Sequence, residues 1–288
     1  MITLSKYFPP IHIHPILWFF IGLAVITGTF MEVFLIFLIV VIHEFGHYTA
    51  ARIFKWRIRG INLWVFGGVM ETDEHGNRPI KQEMIIVLAG PVQHVLIHII
   101  LLACSTYALL PSSVLELAFQ YNATILLFNL LPVWPLDGGK LLMLILSAVF
   151  PYRKAHGYTI VSSIFFCVAA FTASLLLFPF TLSTVLLLTF ILWENRLEWK
   201  QRYYVFLRFL LQRYRDGLDS KKTQVITVDS DATIIKVLSA FKRNYRHHIY
   251  IKDENILNPQ KIDERAYLQA YFGLKQYRIT AKEIAEYE

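Results

Sequence analysis

The sequence predicts an α-helical polytopic membrane protein that ends in a small soluble α/β domain, and three observations carry that prediction. The chain has 288 residues, of which 56% are hydrophobic and only 17% charged, less charge than a soluble domain of this size carries. Apolar runs near the roughly 20 residues needed to cross a bilayer recur up to residue 199. Beyond residue 203 they give way to basic and then alternating sequence.

Six spans are expected, at about 15–31, 33–53, 82–108, 115–150, 157–178 and 181–199, together forming a transmembrane domain over 1–199. "MITLSKYFPPIHIHP" leads into the first with prolines and no small-residue cleavage pattern, so it reads as a retained segment rather than a cleavable signal. The fourth run is too long for one straight crossing, and "PVWPLDGG" interrupts it. Proline removes a backbone donor, and Pro132, Pro135, Gly138 and Gly139 together predict a broken helix whose freed backbone faces protein or a cavity.

Loop charge orients the spans. Arg52, Lys55, Arg57, Arg59, Arg78 and Lys81 follow the second, Arg153 and Lys154 the fourth, and Arg196, Lys200 and Arg202 the sixth, whereas the loops near 32, 112 and 180 hold no Lys or Arg. Basic loops stay inside, which predicts cytoplasmic termini. The formal net charge of +7 then reflects orientation in a lipid bilayer, with no nucleic-acid partner required. Cys104 and Cys167 both fall within spans and supply neither a disulfide framework nor a zinc spacing, so a packing role is expected.

Between the second and third spans, "INLWVFGGVMETDE" is β-prone, with Gly67 and Gly68 at its centre, and too short and polar to cross. A hairpin entering the bilayer partway is expected, its free edge along Phe66, Gly67, Gly68, Val69 and Met70 able to pair an extended substrate; a plain surface hairpin is the alternative. After the last span, 200–222 reads as a basic linker helix at the membrane surface. The remainder, 223–288, reads as strand, helix, strand. Val225 and Val228 mark the first strand, Ser230 or Asp231 the helix cap, Ile234, Leu238 and Phe241 one helical face, and Ile249 and Ile251 the second strand.

The chemistry sits in "FLIVVIHEFGHYTAAR". An ionised side chain at a bilayer centre costs roughly 2.5–3.5 kcal/mol on insertion scales, so such groups persist where they pair, bind an ion or face a polar cavity. His43 and His47 are four residues apart and share one helical face, a two-ligand metal grip. Glu44 lies beside that face, positioned as a base as in H-E-x-x-H metalloproteases. A catalytic zinc commonly takes three protein ligands, and Asp137 in the helix break is the best third donor, although it could instead cap the half-helix that starts near Gly139. His94 and His98 repeat the i, i+4 spacing with Val95 in the place of a base; they read better as interhelical hydrogen-bonding groups or a feature of an access path than as ligands. Nitrogen and oxygen donors of this kind fit zinc without excluding other transition metals. Asn129 could donate to an oxyanion or to substrate backbone, or serve as polar glue between helices. Intramembrane His and Asp also build ion pathways, which leaves a metal or proton transporter as the alternative function, although only one broken segment is present and no second copy of it. A receptor with a structural metal would require a closed four-ligand site.

"HEFGH" at 43–47, "LAGP" at 88–91 and "NLLPVWPLDGG" at 129–139 resemble the site-2 protease family of intramembrane zinc metalloproteases, and the likeness extends over essentially the whole chain, closest to the sporulation branch. The resemblance implies His43, His47 and Asp137 as zinc ligands, Glu44 as the catalytic residue, and substrate contacts from Asn129, Pro135 and the hairpin. It further implies a sigma-factor precursor as substrate, inhibitory membrane partner proteins, and a location in the mother-cell-derived membrane around the forespore. The C-terminal segment resembles a single CBS-like regulatory domain, which implies ATP as a ligand and pairing of chains into a homo-oligomer. Gln93 and His94 stand where the family often carries small or amide residues, and Trp134 where many members carry proline.

Overall fold

The computed structural model describes residues 11–13, 15–64, 67–72, 74, 76, 78–177, 182–217, 222–252 and 261–287. The chain forms two compact units that exchange between residues 131 and 139. This grouping differs from the division at 199 read from composition, because the later apolar helices cluster with the C-terminal domain.

The first unit contains β1 (Ile11–Ile13), α1 (Pro15–Thr27), α2 (Phe30–Ile53), β2 (Ile58–Trp64), β3 (Gly67–Thr72), α3 (Ile80–Thr106) and α4 (Ser112–Asn129). Leu35 and Ile39 of α2, Ile97 and Leu101 of α3, and Leu115 and Ala118 of α4 form a buried cluster. Outward faces stay apolar, with Phe34, Leu38 and Phe45 on α2 and Ile85, Val92 and Ile99 on α3 exposed. Helices facing lipid gain nothing from hiding such groups from water, so close backbone approach at small residues must hold them together. Gly46 provides it: a Cβ there would lie 2.4 Å from the carbonyl oxygen of Ala89 on α3.

The expected hairpin is present as antiparallel β2 and β3, and β1 adds a third strand parallel to β2, in the order β1-β2-β3. The proline-rich lead-in had hidden β1. Phe66 lies outside the described residues. Among the described residues, β1 and β3 are the two edge strands of this sheet.

Among the described residues, three helices are long and apolar enough to cross a membrane, Phe30–Ile53, Ile80–Thr106 and Tyr152–Leu176. The first expected span, by contrast, is a 13-residue helix that ends before Gly28, whose φ of +77° turns the chain into α2. The run 115–150 is broken as expected, into α4 and the 13-residue α5 (Asp137–Val149).

The second unit holds the break's Pro132–Pro135, α5 from Gly139 onward, α6 (Tyr152–Leu177), α7 (Leu182–Asp216) and the C-terminal domain. Two side chains satisfy backbone groups that the break frees: Trp134 N–H donates to Ser163 Oγ at 2.8 Å, and Asn195 Nδ2 donates to the Trp134 carbonyl at 2.6 Å. The last helix does not stop at 199. It runs for 35 residues, because Phe206, Phe209 and Leu210 on its extension are buried in the core of the C-terminal domain.

That domain contains β4 (Thr223–Asp229), α8 (Ile234–Leu238), β5 (Arg246–Lys252), β6 (Lys261–Asp263), α9 (Glu264–Leu268), a π-helical turn at Gln269–Gly273, and α10 (Ala281–Tyr287). β4 and β5 pair in parallel, and β6 adds to β5 antiparallel. Ile234, Leu238, Phe241, Ile249 and Ile251 are buried as their periodicity predicts. Val225 and Val228 both lie in β4 as expected, Val225 on its exposed face. One local expectation is corrected. The helix begins at Ile234 with Thr233 in the cap position, so Ser230 and Asp231 fall in the preceding turn.

A buried ionic knot ties α7 to this domain. Arg213 Nη2 and Nε reach Glu264 Oε2 and Oε1 at 2.7 and 3.2 Å, and the guanidinium also donates to the carbonyls of Lys242 and Tyr245. Lys242 N–H donates to His247 Nε2 at 3.1 Å, which leaves the ring neutral with its Nδ1–H toward Glu264. Burial pushes the His247 imidazole below its usual value. Burial alone would raise the Glu264 carboxyl, but hydrogen bonding to His247 and the Arg213 charge outweigh it and hold the group at about 2. Both groups therefore bind fewer protons folded than unfolded, and stability is complete above 6.5 and drains away as pH falls, first through His247 and then, below 4.5, through Glu264. Hydrogen exchange of the β5 amides in the full detergent-solubilised chain is expected to lose protection as pH falls below 6.5, by at most about tenfold per pH unit for each proton taken up. Protection that stays flat down to pH 5 contradicts this.

Candidate active site

The site is built where α2 crosses α3, within the first unit. One helical turn separates His43 from His47, and their Nε2 atoms lie 3.1 Å apart. Asp137 Oδ2 completes a triangle, 3.1 Å from His43 Nε2 and 3.0 Å from His47 Nε2. All three residues are buried. Donor atoms bound tetrahedrally at about 2.0–2.1 Å sit about 3.3 Å from one another, so this triangle approximates one face of a zinc coordination shell.

Protonation agrees with that fit. His47 Nδ1 lies 2.8 Å from the carbonyl oxygen of Ile86, which can only accept, so Nδ1 carries the proton and Nε2 presents its lone pair to the triangle. Gly90 leaves room for the two rings, since a Cβ there would lie 2.3 Å from His47 Nε2 and 2.7 Å from His43 Cε1.

Glu44 is buried beside the histidines, and its carboxylate falls within 4.8 Å of their ring nitrogens. That separation alone would admit Glu44 as a ligand. Asp137 makes the tighter contacts, with both Nε2 atoms. Above Glu44 lies β3: a Cβ on Gly68 would sit 2.3 Å from Glu44 Cγ and 3.0 Å from Oε1. Thus the hairpin singled out for substrate pairing packs on the side chain singled out as the base.

Other candidates fall elsewhere. Asn129 is the last residue of α4 and donates its amide to Ile125 one turn back. Pro135 belongs to the second unit. His98 packs its ring against Phe119 with centroids 4.9 Å apart. His94 is fully buried and lies behind His43, with Nε2 3.0 Å from His43 Nδ1 and Nδ1 2.8 Å from Asn122 Oδ1. Sequence reading missed Asn122 and the Ile86 carbonyl, and singled out Gly90 only as part of "LAGP", without a role. A lone amide within "YNATILLF" was the one available signal, since such a group inside an apolar helix needs a partner.

The model of Peptidase family M50 matches residues 31–110 and 105–171. Stage IV sporulation protein FB of Bacillus subtilis is 37% identical over 275 residues, covering 95% of each chain. Zinc metalloprotease MJ0392 of Methanocaldococcus jannaschii is 34% identical over 141 residues, covering 47% of this chain and 41% of the relative. Among solved structures, the Site-2 Protease from Methanocaldococcus jannaschii superposes with a TM-score of 0.54 at 26% identity, over 65% of this chain and 89% of that one.

Proposed function

We propose that this chain, which belongs to peptidase family M50, the site-2 proteases, and is a membrane zinc metalloprotease, holds its metal through His43, His47 and Asp137 and uses Glu44 as general base. Family membership removes the transporter and receptor readings. The observation that carries the ligand assignment is the buried triangle of two Nε2 atoms and one Oδ2 with edges of 3.0–3.1 Å.

Zinc, when bound, supplies Lewis acidity that acidifies water and polarises a peptide carbonyl. The chain's own residues do the rest. Glu44 accepts a proton from the attacking water and returns it to the leaving amine, a role for which its carboxylate is placed beside the histidines and away from bulk solvent. A helical substrate has its carbonyls tied up in its own hydrogen bonds, so cleavage requires an extended segment. β3 is an edge strand of the sheet among the described residues, and its Gly68 backbone lies directly over Glu44, which supports pairing of the substrate along Gly67–Met70. Asn129, at the end of α4, and Pro135, within the break that precedes Asp137, each take the substrate backbone in the same reading.

The likeness to a sporulation protein of Bacillus subtilis supports a finer reading. The substrate is the precursor of a sporulation sigma factor, clipped at the mother-cell-derived membrane around the forespore, with both termini of the protease cytoplasmic and inhibitory membrane proteins holding it silent. The C-terminal α/β domain acts as a CBS-like regulator that binds ATP and pairs between chains.

Metal analysis tests the centre. Wild-type protein purified in detergent is expected to carry about one zinc per chain and His43→Ala less than a tenth of that, because two remaining donors hold zinc poorly. Equal zinc in both proteins sinks the ligand assignment.

A further inference from the structure

His94 does no chemistry in the mechanism above, yet it is fully buried and its two ring nitrogens are both engaged. Asn122 fixes the direction of that engagement. Its Nδ2 donates to the His94 carbonyl oxygen at 3.0 Å, which settles the amide's orientation and turns Oδ1 toward His94 Nδ1, 2.8 Å away. An amide oxygen can only accept, so His94 Nδ1 carries a proton and, in the neutral ring, Nε2 carries a lone pair. That lone pair faces His43 Nδ1 at 3.0 Å. His43 must therefore keep its own proton on Nδ1, and its Nε2 lone pair is directed at Asp137 Oδ2 and His47 Nε2.

We infer that Asn122 and His94 form a two-step tautomer relay that positions His43 for metal binding. The inference rests on the proposed zinc ligation by His43. Metal-bound histidines commonly donate their second N–H to a carboxylate, carbonyl or water. His47 follows that habit through the Ile86 carbonyl. His43 has an imidazole in that place, and an imidazole accepts only in one of its two neutral tautomers. This is why the relay needs its second member, on a different helix. Asn122 on α4 selects the tautomer of His94 on α3, and His94 selects that of His43 on α2.

The test is equilibrium zinc affinity, by competition with a chelator, of the full-length detergent-purified chain, read beside the melting temperature of each zinc-stripped protein. His94→Leu is expected to weaken zinc about 10–100-fold, the usual effect of losing an outer-shell partner, with the stripped protein melting within a few degrees of wild type. His94→Gln, whose Oε1 can accept from His43 Nδ1, is expected to recover most of that loss. Asn122→Leu should weaken zinc, and Asn122→Asp, which keeps an acceptor for His94 Nδ1–H but gives up the Nδ2 donor to the His94 carbonyl, should recover part of that loss. The relay is wrong if His94→Leu binds within twofold of wild type, if Gln does no better than Leu, or if the affinity losses merely track lower melting of the stripped proteins. Should His94→Leu not fold, the Leu and Asp variants at Asn122 decide by the same criteria. His43→Ala is the control: unchanged zinc there refutes the ligand assignment, whereas loss there with unchanged His94→Leu refutes only the relay.

Discussion

Glu44→Gln is expected to keep zinc at the wild-type stoichiometry and to lower peptide-bond cleavage by about 10²–10⁴-fold, the usual worth of a positioned general base. The substitution is nearly isosteric, so it leaves the contact between Gly68 and the Glu44 side chain in place. What it removes is the ability to take a proton. The informative comparison pairs metal analysis with cleavage of a co-expressed sigma-factor precursor, each measured on wild type and variant. Loss of zinc together with activity would make Glu44 a ligand, which its distance of under 4.8 Å from the histidine nitrogens would permit. Retained zinc with retained cleavage would move the base elsewhere.

Gly90→Ala should be nearly as damaging, by a different route. A single methyl group there would stand 2.3 Å from His47 Nε2 and 2.4 Å from its Cε1, closer than any real contact. The ring cannot swing away cheaply, since its Nδ1 is tied to the Ile86 carbonyl and its Nε2 belongs to the metal triangle. Either α3 withdraws from α2, or the triangle opens. Both reduce zinc binding, and we expect zinc content and cleavage to fall together, by at least tenfold, in a protein that still inserts and purifies. Wild-type zinc in Gly90→Ala would show that the histidines have room the structure does not give them. Full zinc with lost cleavage would place the effect of Gly90 on the substrate instead.

Much of the metal centre was legible in the chain because its donors obey local rules. His43 and His47 are one helical turn apart, and no fold is needed to know that an α-helix brings them together. Asp137 could be nominated because a carboxylate amid prolines and glycines in an apolar run needs a reason to be there. That it lies within 3.1 Å of both imidazoles is a long-range fact, ninety positions along the chain from His47. The hairpin was legible from its paired glycines, but not that Gly68 rests on Glu44, because a missing Cβ leaves no trace of what fills its space.

The C-terminal half shows the same division. Ile234, Leu238 and Phe241 announced a helical face, and the structure buries all three. The continuity of α7 through residue 199 was hidden, since composition turns basic there while the helix is held by Phe206, Phe209 and Leu210 against a domain that follows later in the chain. Arg213, read as one charge of a surface linker, is buried against Glu264.

The sequence by itself determined the solvent and nominated the site: apolar runs long enough for lipid, and His43, Glu44, His47 and Asp137 placed where ionisable groups are costly without a function. Tertiary structure alone decided which lone pair each imidazole presents. That choice depends on what lies behind each ring, the Ile86 carbonyl behind His47, and His94 backed by Asn122 behind His43. Spacing along a helix sets where a side chain points, but hydrogen bonds from other helices set which of its atoms carries the proton.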